Sequence, residues 1–281
     1  MAFMSSRRRS AALAAVLGLS LIAGGVAYAA SAPAIQTTTP KFADQVTNID
    51  VLRQQIRNYY GDPMGTGDFA AGSNYAMEAT SVAADGARWL ATGWRGKSAG
   101  MKAIVIDVDD TTLATWNYEV YSNWAYNAIY PNTDPAKAKL MTNADFVLGE
   151  KFPAVPGMVD MVNQAKTEGY AIIVITGRPV AQELATVGNL TAAGYPTPTT
   201  LNDGEDCLFT KPVLGTDYPA YLTAACGAVA CNTIQYKSAT RAHIESLGYD
   251  IVANFGDQYS DFTGVFEDRT FKMPNPNYFL P

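Results

Sequence analysis

Ala103-Ile104-Val105-Ile106-Asp107-Val108-Asp109-Asp110-Thr111-Thr112-Leu113 is the stretch on which the fold turns. Its first four residues are apolar and mostly β-branched, the composition of a short strand buried on both faces. The strand ends in carboxylates, and open α/β sheets present polar groups to a crevice at the carboxyl ends of their strands. Asp107 and Asp109 are two residues apart, so the backbone must bend before both can face one point. Three carboxylates this close repel one another unless a cation or a proton neutralises them. Asp and Thr are also good helix caps, so an acidic turn leading into a helix is the plainer alternative.

The units downstream repeat the order of strand, polar turn and helix. A helix is expected over 158–168, with Pro156 near its first turn and Gly169 at its end. A strand over 170–175 runs into Thr176-Gly177-Arg178-Pro179, and a helix over 180–193 follows. Residues 208–210 read as a short strand, and the chain to Asn232 reads as irregular. A helix over 238–247 follows Gln235-Tyr236-Lys237. A strand over 251–255 leads into Gly256-Asp257-Gln258-Tyr259-Ser260-Asp261, a last strand spans 265–271, and the Pro-rich tail cannot continue a sheet. Upstream, Phe42, Val46, Ile49, Leu52, Ile56 and Tyr59 recur at helical spacing, predicting an amphipathic helix over 42–60. A second helix is expected over 75–92. The alternation predicts an α/β protein: a parallel sheet in a three-layer α/β/α, Rossmann-like arrangement with a small helical insert after the first strand.

The chain of 281 residues begins with Arg7-Arg8-Arg9, an apolar run from Ala11 to Ala23, and Ala27-Tyr28-Ala29. This is the pattern of a secretory signal peptide over 1–29, cut after Ala29. Residues 30–40 form a flexible leader, leaving 41–281 as one domain. Losing Arg7, Arg8 and Arg9 makes a chain of formal charge −6 more acidic still. Such a chain does not draw in nucleic acid or anionic membrane, and any anionic substrate needs a local cation or metal. The insert, about 114–152, carries Trp116, Tyr118, Tyr121, Trp124, Tyr126 and Tyr130. It reads either as a well-packed helix or as a flap over an aromatic leaving group. Export implies an oxidising compartment, where Cys226 with Cys231 is the favoured bridge over pairings with Cys207. A single histidine, His243, on a predicted helix, leaves little room for histidine-based phosphatases or Ser-His-Asp hydrolases.

Four polar clusters lie at, or just beyond, elements of one predicted sheet. Asp-Val-Asp-Asp-Thr at 107–111, Ile-Thr-Gly-Arg-Pro at 175–179, Tyr-Lys-Ser at 236–238 and Gly-Asp-Gln-Tyr-Ser-Asp at 256–261 occur in this order. With these motifs the chain resembles the haloacid dehalogenase (HAD) superfamily. Within it, the likeness is to secreted acid phosphatases, class B bacterial enzymes and plant vegetative-storage-type phosphatases among them.

The resemblance implies a phosphoric monoester hydrolase. Asp107 would be the nucleophile and Asp109 the acid and base. Mg²⁺ would bind Asp107, the backbone carbonyl of Asp109 and Asp257, with Asp261 binding through water or orienting Lys237. Thr176, Gly177 and Lys237 would hold the phosphoryl group. Lys211 is the rival to Lys237, and Arg178 is either an extra phosphate contact, made directly or through a residue that touches the phosphate, or simply an ion pair on the helix. Asp110 would cap or orient the turn. Thr112 stands where the family often has Leu or Val. The expected substrate is a small phosphate monoester, whether nucleotide, sugar or aryl phosphate. A phosphotransferase using the same intermediate, or a non-catalytic storage or binding protein on the same fold, are the alternatives.

Overall fold

The computed structural model describes residues 39–92, 100–126, 140–201, 204, 206–215 and 218–280. Its sheet is built of β1 (Met101–Ile106), β2 (Ala171–Pro179), β3 (Leu208–Lys211), β4 (Tyr249–Gly256) and β5 (Thr270–Lys272). All neighbours run parallel, in the order β3-β2-β1-β4-β5. The helices are α1 (Ile49–Tyr59), α2 (Asn74–Ala91), α3 (Trp116–Ser122), α4 (Asn143–Leu148), α5 (Met158–Thr167), α6 (Glu183–Ala192), α7 (Ala220–Cys226) and α8 (Thr233–Ser246).

Side chains alternate along a strand, so β1 feeds two cores. Ile104 and Ile106 pack with Leu90 of α2 and Met158, Met161 and Val162 of α5. Ala103 and Val105 pack on the opposite face with Leu222 of α7 and Tyr236, Ala239 and Ile244 of α8. This burial on both faces explains why the strand reads as a continuous apolar run. Gly86 of α2 lies so close to β4 that any side chain there would overlap the Phe255 ring. From β1 the chain adds strands first on one side and then on the other. Such a reversal of strand order opens a crevice at the carboxyl ends of the central strands.

Several element boundaries differ from the sequence reading, each for a local reason. Over 42–60 the helix begins only at Ile49, because Asn48 Oδ1 accepts the N–H groups of Asp50 and Val51 and caps it there. Val180–Gln182 is a separate 3₁₀ turn before α6. The segment read as irregular contains α7, and α8 starts at Thr233 rather than Ser238. There Asn232 and Gln235 exchange side-chain and backbone hydrogen bonds in a capping box. The last strand is only Thr270–Lys272, since positive φ at Gly264 and Val265 bends the chain before it. In the insert, α3 and α4 are short, and 127–139, with Tyr130, lie outside the described residues, as do the expected signal peptide and most of the leader. Trp116 and Tyr118 are core residues: Trp116 stacks on Tyr60 at 4.1 Å and donates its Nε1–H to Asp62. A disulfide joins Cys226 to Cys231, and the Cys207 thiol is buried. Among the described residues, no helix is long and apolar enough to cross a membrane.

Candidate active site

Asp107 is the first residue beyond β1, and its N–H donates to Phe255 O of β4 at 3.0 Å. The chain then curls back, with the N–H groups of Thr112 and Leu113 both reaching Val108 O at 2.9 Å. Asp110 adopts φ 50°, a conformation Asp tolerates better than most residues. Its carboxylate accepts the Thr115 N–H at 2.9 Å and the Thr115 hydroxyl at 2.5 Å, fastening this loop to the start of α3. The Thr112 hydroxyl donates to the carbonyls of Asp107 and Val108, so the polar residue is satisfied inside the turn.

Lys237, in the second turn of α8, puts its Nζ 2.7 Å from Asp107 Oδ1 and also against Asp261 Oδ1. Burial alone would lower the Lys237 pKa, but the two carboxylates outweigh it and hold the ammonium above the ordinary lysine value. Lys211 ends β3 and donates instead to Thr233 Oγ1 at 3.3 Å. Burial, then the charge of Lys237, pulls its pKa down.

From β2, Arg178 forks onto Asp109, with Nε to Oδ2 at 3.1 Å and Nη2 to Oδ1 at 2.7 Å. Its Nη1 donates to Thr186 at 3.1 Å, and its guanidinium lies over the Phe152 ring. The pair is made to Asp109 of the loop after β1, not to an acid of the following helix. The Thr176 side chain is buried, and its hydroxyl accepts the Arg178 N–H at 3.2 Å. Gly177 is exposed at the rim.

Asp257 follows β4, and Asp261 ends the 3₁₀ turn after it. A side chain at Gly256 would overlap that of Asp261, so this glycine lets the turn close over Lys237. Asp107, Asp257 and Asp261 are buried, with carboxylate oxygens that lie within 4.8 Å of one another. Burial first, and then the neighbouring carboxylates, raise Asp107 well above the usual carboxylate range despite Lys237. Burial, Asp261 and Asp110 push Asp257 up to about 7. Among the described residues, only Lys237 forms ion pairs with these three aspartates, through Asp107 and Asp261. An all-oxygen donor set with excess negative charge fits a hard divalent cation, and this cluster can hold one.

The match to known proteins decides the family. The model of HAD superfamily subfamily IIIB (acid phosphatase) matches residues 23–281. The chain belongs to that subfamily. Acid phosphatase 1 of Solanum lycopersicum is 24% identical, over 88% of this chain and 84% of its own. Vegetative storage protein 2 of Arabidopsis thaliana is also 24% identical, over 84% and 76%. The stem 28 kDa glycoprotein of Glycine max is 33% identical over 46% of this chain, a match that spans 44% of its own length. In fold the chain is similar to the class C acid phosphatase from Bacillus anthracis, with TM-score 0.53, 20% identity, and 81% and 85% coverage.

Within this family frame, the C-terminal tail is the part of the site that sequence reasoning missed. Asn275 Nδ2 donates to Asp257 Oδ2 at 2.7 Å, beside Gln258 Nε2 on the same oxygen at 2.6 Å. Leu280 N–H returns to Gln258 Oε1, and Asn277 bridges Tyr60 and Trp124. Burial, followed by the charges of Asp257, Asp110, Asp109 and Asp107, raises the Tyr278 hydroxyl pKa, so that hydroxyl lies near the aspartate cluster. The only available signal was the run of Asn between prolines, residues that brace a fixed loop with side-chain hydrogen bonds. Glu119 was also missed, on the buried side of α3.

Proposed function

We infer that this protein is an exported, Mg²⁺-dependent acid phosphatase that hydrolyses small phosphate monoesters. The observation that carries the reading is the division of labour between two neighbouring carboxylates: Asp107 bears on Lys237, and Asp109 is held by Arg178. Family membership supports it, and the retention of every motif carboxylate and lysine favours an enzyme over a storage protein.

In this reading the Asp107 carboxylate attacks phosphorus in line with the ester oxygen, and the bond to the alcohol breaks. Asp109 gives its proton to the departing oxygen. Asp109 then takes a proton from water as that water attacks phosphorus. The acyl phosphate opens, and inorganic phosphate and the Asp107 carboxylate are released. The Thr176 hydroxyl and the Gly177 amide hold phosphoryl oxygens, and Lys237 balances their charge. Asp107, Asp257 and the carbonyl of Asp109 would hold Mg²⁺, with Asp261 bound through water or orienting Lys237. The ion, when bound, supplies charge neutralisation for the transferring group. Export rests on the amino-terminal Arg run and the apolar stretch after it.

Purified protein should release the chromophore from an aryl phosphate when Mg²⁺ is present. Asp107→Asn should abolish turnover, and a chelator should do so reversibly. Undiminished activity in Asp107→Asn would sink the mechanism. Added alcohol should leave the substrate range unchanged and divert product to a new ester only if phosphotransfer competes with water.

A further inference from the structure

Glu119 is a charged group beside the site that the reaction above does not use. Its position follows from the loop after β1. Asp110 pins Thr115, the residue that caps α3. Glu119 lies one turn further on, its N–H donating to Thr115 O at 3.1 Å. Helical side chains lean toward the amino-terminal end, so this carboxylate extends back over Thr115 toward Asp109 and Asp110. The residue is only 9% exposed. Among the described residues its carboxylate makes no hydrogen bond and no ion pair, and neither of its oxygens is sealed from solvent. Burial and the charge of Asp109 push it up to about 7, and its own charge in turn raises Asp110. Tyr126, exposed at the rim, feels both Asp109 and Glu119.

An ester oxygen protonated by Asp109 must come up to that carboxyl. Arg178 holds Asp109 from β2, while Glu119 approaches from α3, so the alcohol portion of the substrate meets an acceptor that is unpaired among the described residues. We propose that Glu119 selects the leaving alcohol, favouring amino alcohols and polyols, which bring a positive charge or hydrogen-bond donors, and rejecting alcohols that carry a second anion. A carboxylate bordering a partly desolvated pocket repels a like charge and rewards a donor. The proposal rests on the phosphatase reading above.

The test compares kcat/KM for phosphoethanolamine, phenyl phosphate and phosphoglycerate at about pH 8, where an acid with a pKa near 7 is ionised. Wild-type protein should prefer phosphoethanolamine to phosphoglycerate. Glu119→Gln should shrink that ratio about tenfold and leave phenyl phosphate within about threefold, whereas Glu119→Asp should keep the preference. A merely structural role would move all three substrates together and would not separate Gln from Asp. An unchanged ratio in folded Glu119→Gln overturns the proposal. If that variant does not fold, a wild-type protein that shows no preference for phosphoethanolamine overturns it as well. If the wild type hydrolyses none of the three at about pH 8 or at acid pH with Mg²⁺ present, the phosphatase reading itself fails.

Discussion

Arg178 meets Asp109 with two parallel hydrogen bonds, at 3.1 and 2.7 Å, from a side chain almost wholly enclosed. A guanidinium fork fixes a carboxylate in position and orientation, which a lysine ammonium cannot do. Arg178→Lys should therefore cost about 10- to 100-fold in kcat for alkyl phosphates, the order of 1–3 kcal/mol expected for a charge-assisted bond. Aryl phosphates should suffer far less, because their leaving oxygen departs without a proton. Equal losses on both classes would show that Arg178 acts on the phosphoryl group and not through Asp109.

Lys237 joins Asp107 to Asp261, and all three are buried. Removing the cation leaves two carboxylates uncompensated. Lys237→Met should lower unfolding free energy by about 3–5 kcal/mol at neutral pH, read from urea denaturation. The deficit should narrow at acid pH, where the freed carboxylates take up protons. A stability equal to that of wild type at both pH values would mean that water already screens the triad.

The order of the motifs made the sheet and its carboxylates legible in the sequence, because each cluster follows an apolar strand or lies on a helix packed against one. Asp107 and Asp257 could be located from strand ends alone. The partner of Arg178 could not, since Asp109 and Arg178 are brought together only when β1 pairs with β2. Helix limits failed where capping by Asn48 and Asn232 overrode periodicity. The tail around Asn275 has no periodicity, and its role exists only through hydrogen bonds to residues far back in the chain.

Asn275 holds the same Asp257 oxygen as Gln258. Groups that orient a ligand carboxylate typically contribute 10- to 100-fold to metal affinity. Asn275→Ala should weaken Mg²⁺ binding by about this factor, measured as the concentration needed for half the Mg²⁺-induced rise in Tm. The melting temperature without metal should change little. A variant with intact Mg²⁺ response would assign the tail a packing role alone.

The disulfide between Cys226 and Cys231 closes a short loop between α7 and α8, on the face of the sheet that carries Lys237. A loop of this size restrains the unfolded chain by about 2 kcal/mol on the entropy model. Replacing both cysteines with Ser should lower stability by that amount. Turnover at low temperature should persist, because Lys237 is set by the Asn232 cap and its two carboxylates. Loss of Lys237-dependent activity in a folded double variant would show that the bridge also positions α8.

Stability against pH follows from the raised carboxylates. Burial foremost pushes both Asp257 and Asp110 up to about 7, whereas an unfolded Asp titrates near about 3.9. Between these values the folded chain binds more protons than the unfolded one, so stability falls as pH rises through the window and levels off above it. Each such shift corresponds to about 4 kcal/mol. The metal-free protein should therefore melt at progressively lower temperature from about pH 4.5 to about pH 7.5, by the same linkage. A divalent cation binds the ionised cluster, so millimolar Mg²⁺ should restore Tm at the upper end and do little at the lower. A melting temperature that climbs with pH in the absence of metal would contradict the burial of unneutralised charge at Asp110 and Asp257.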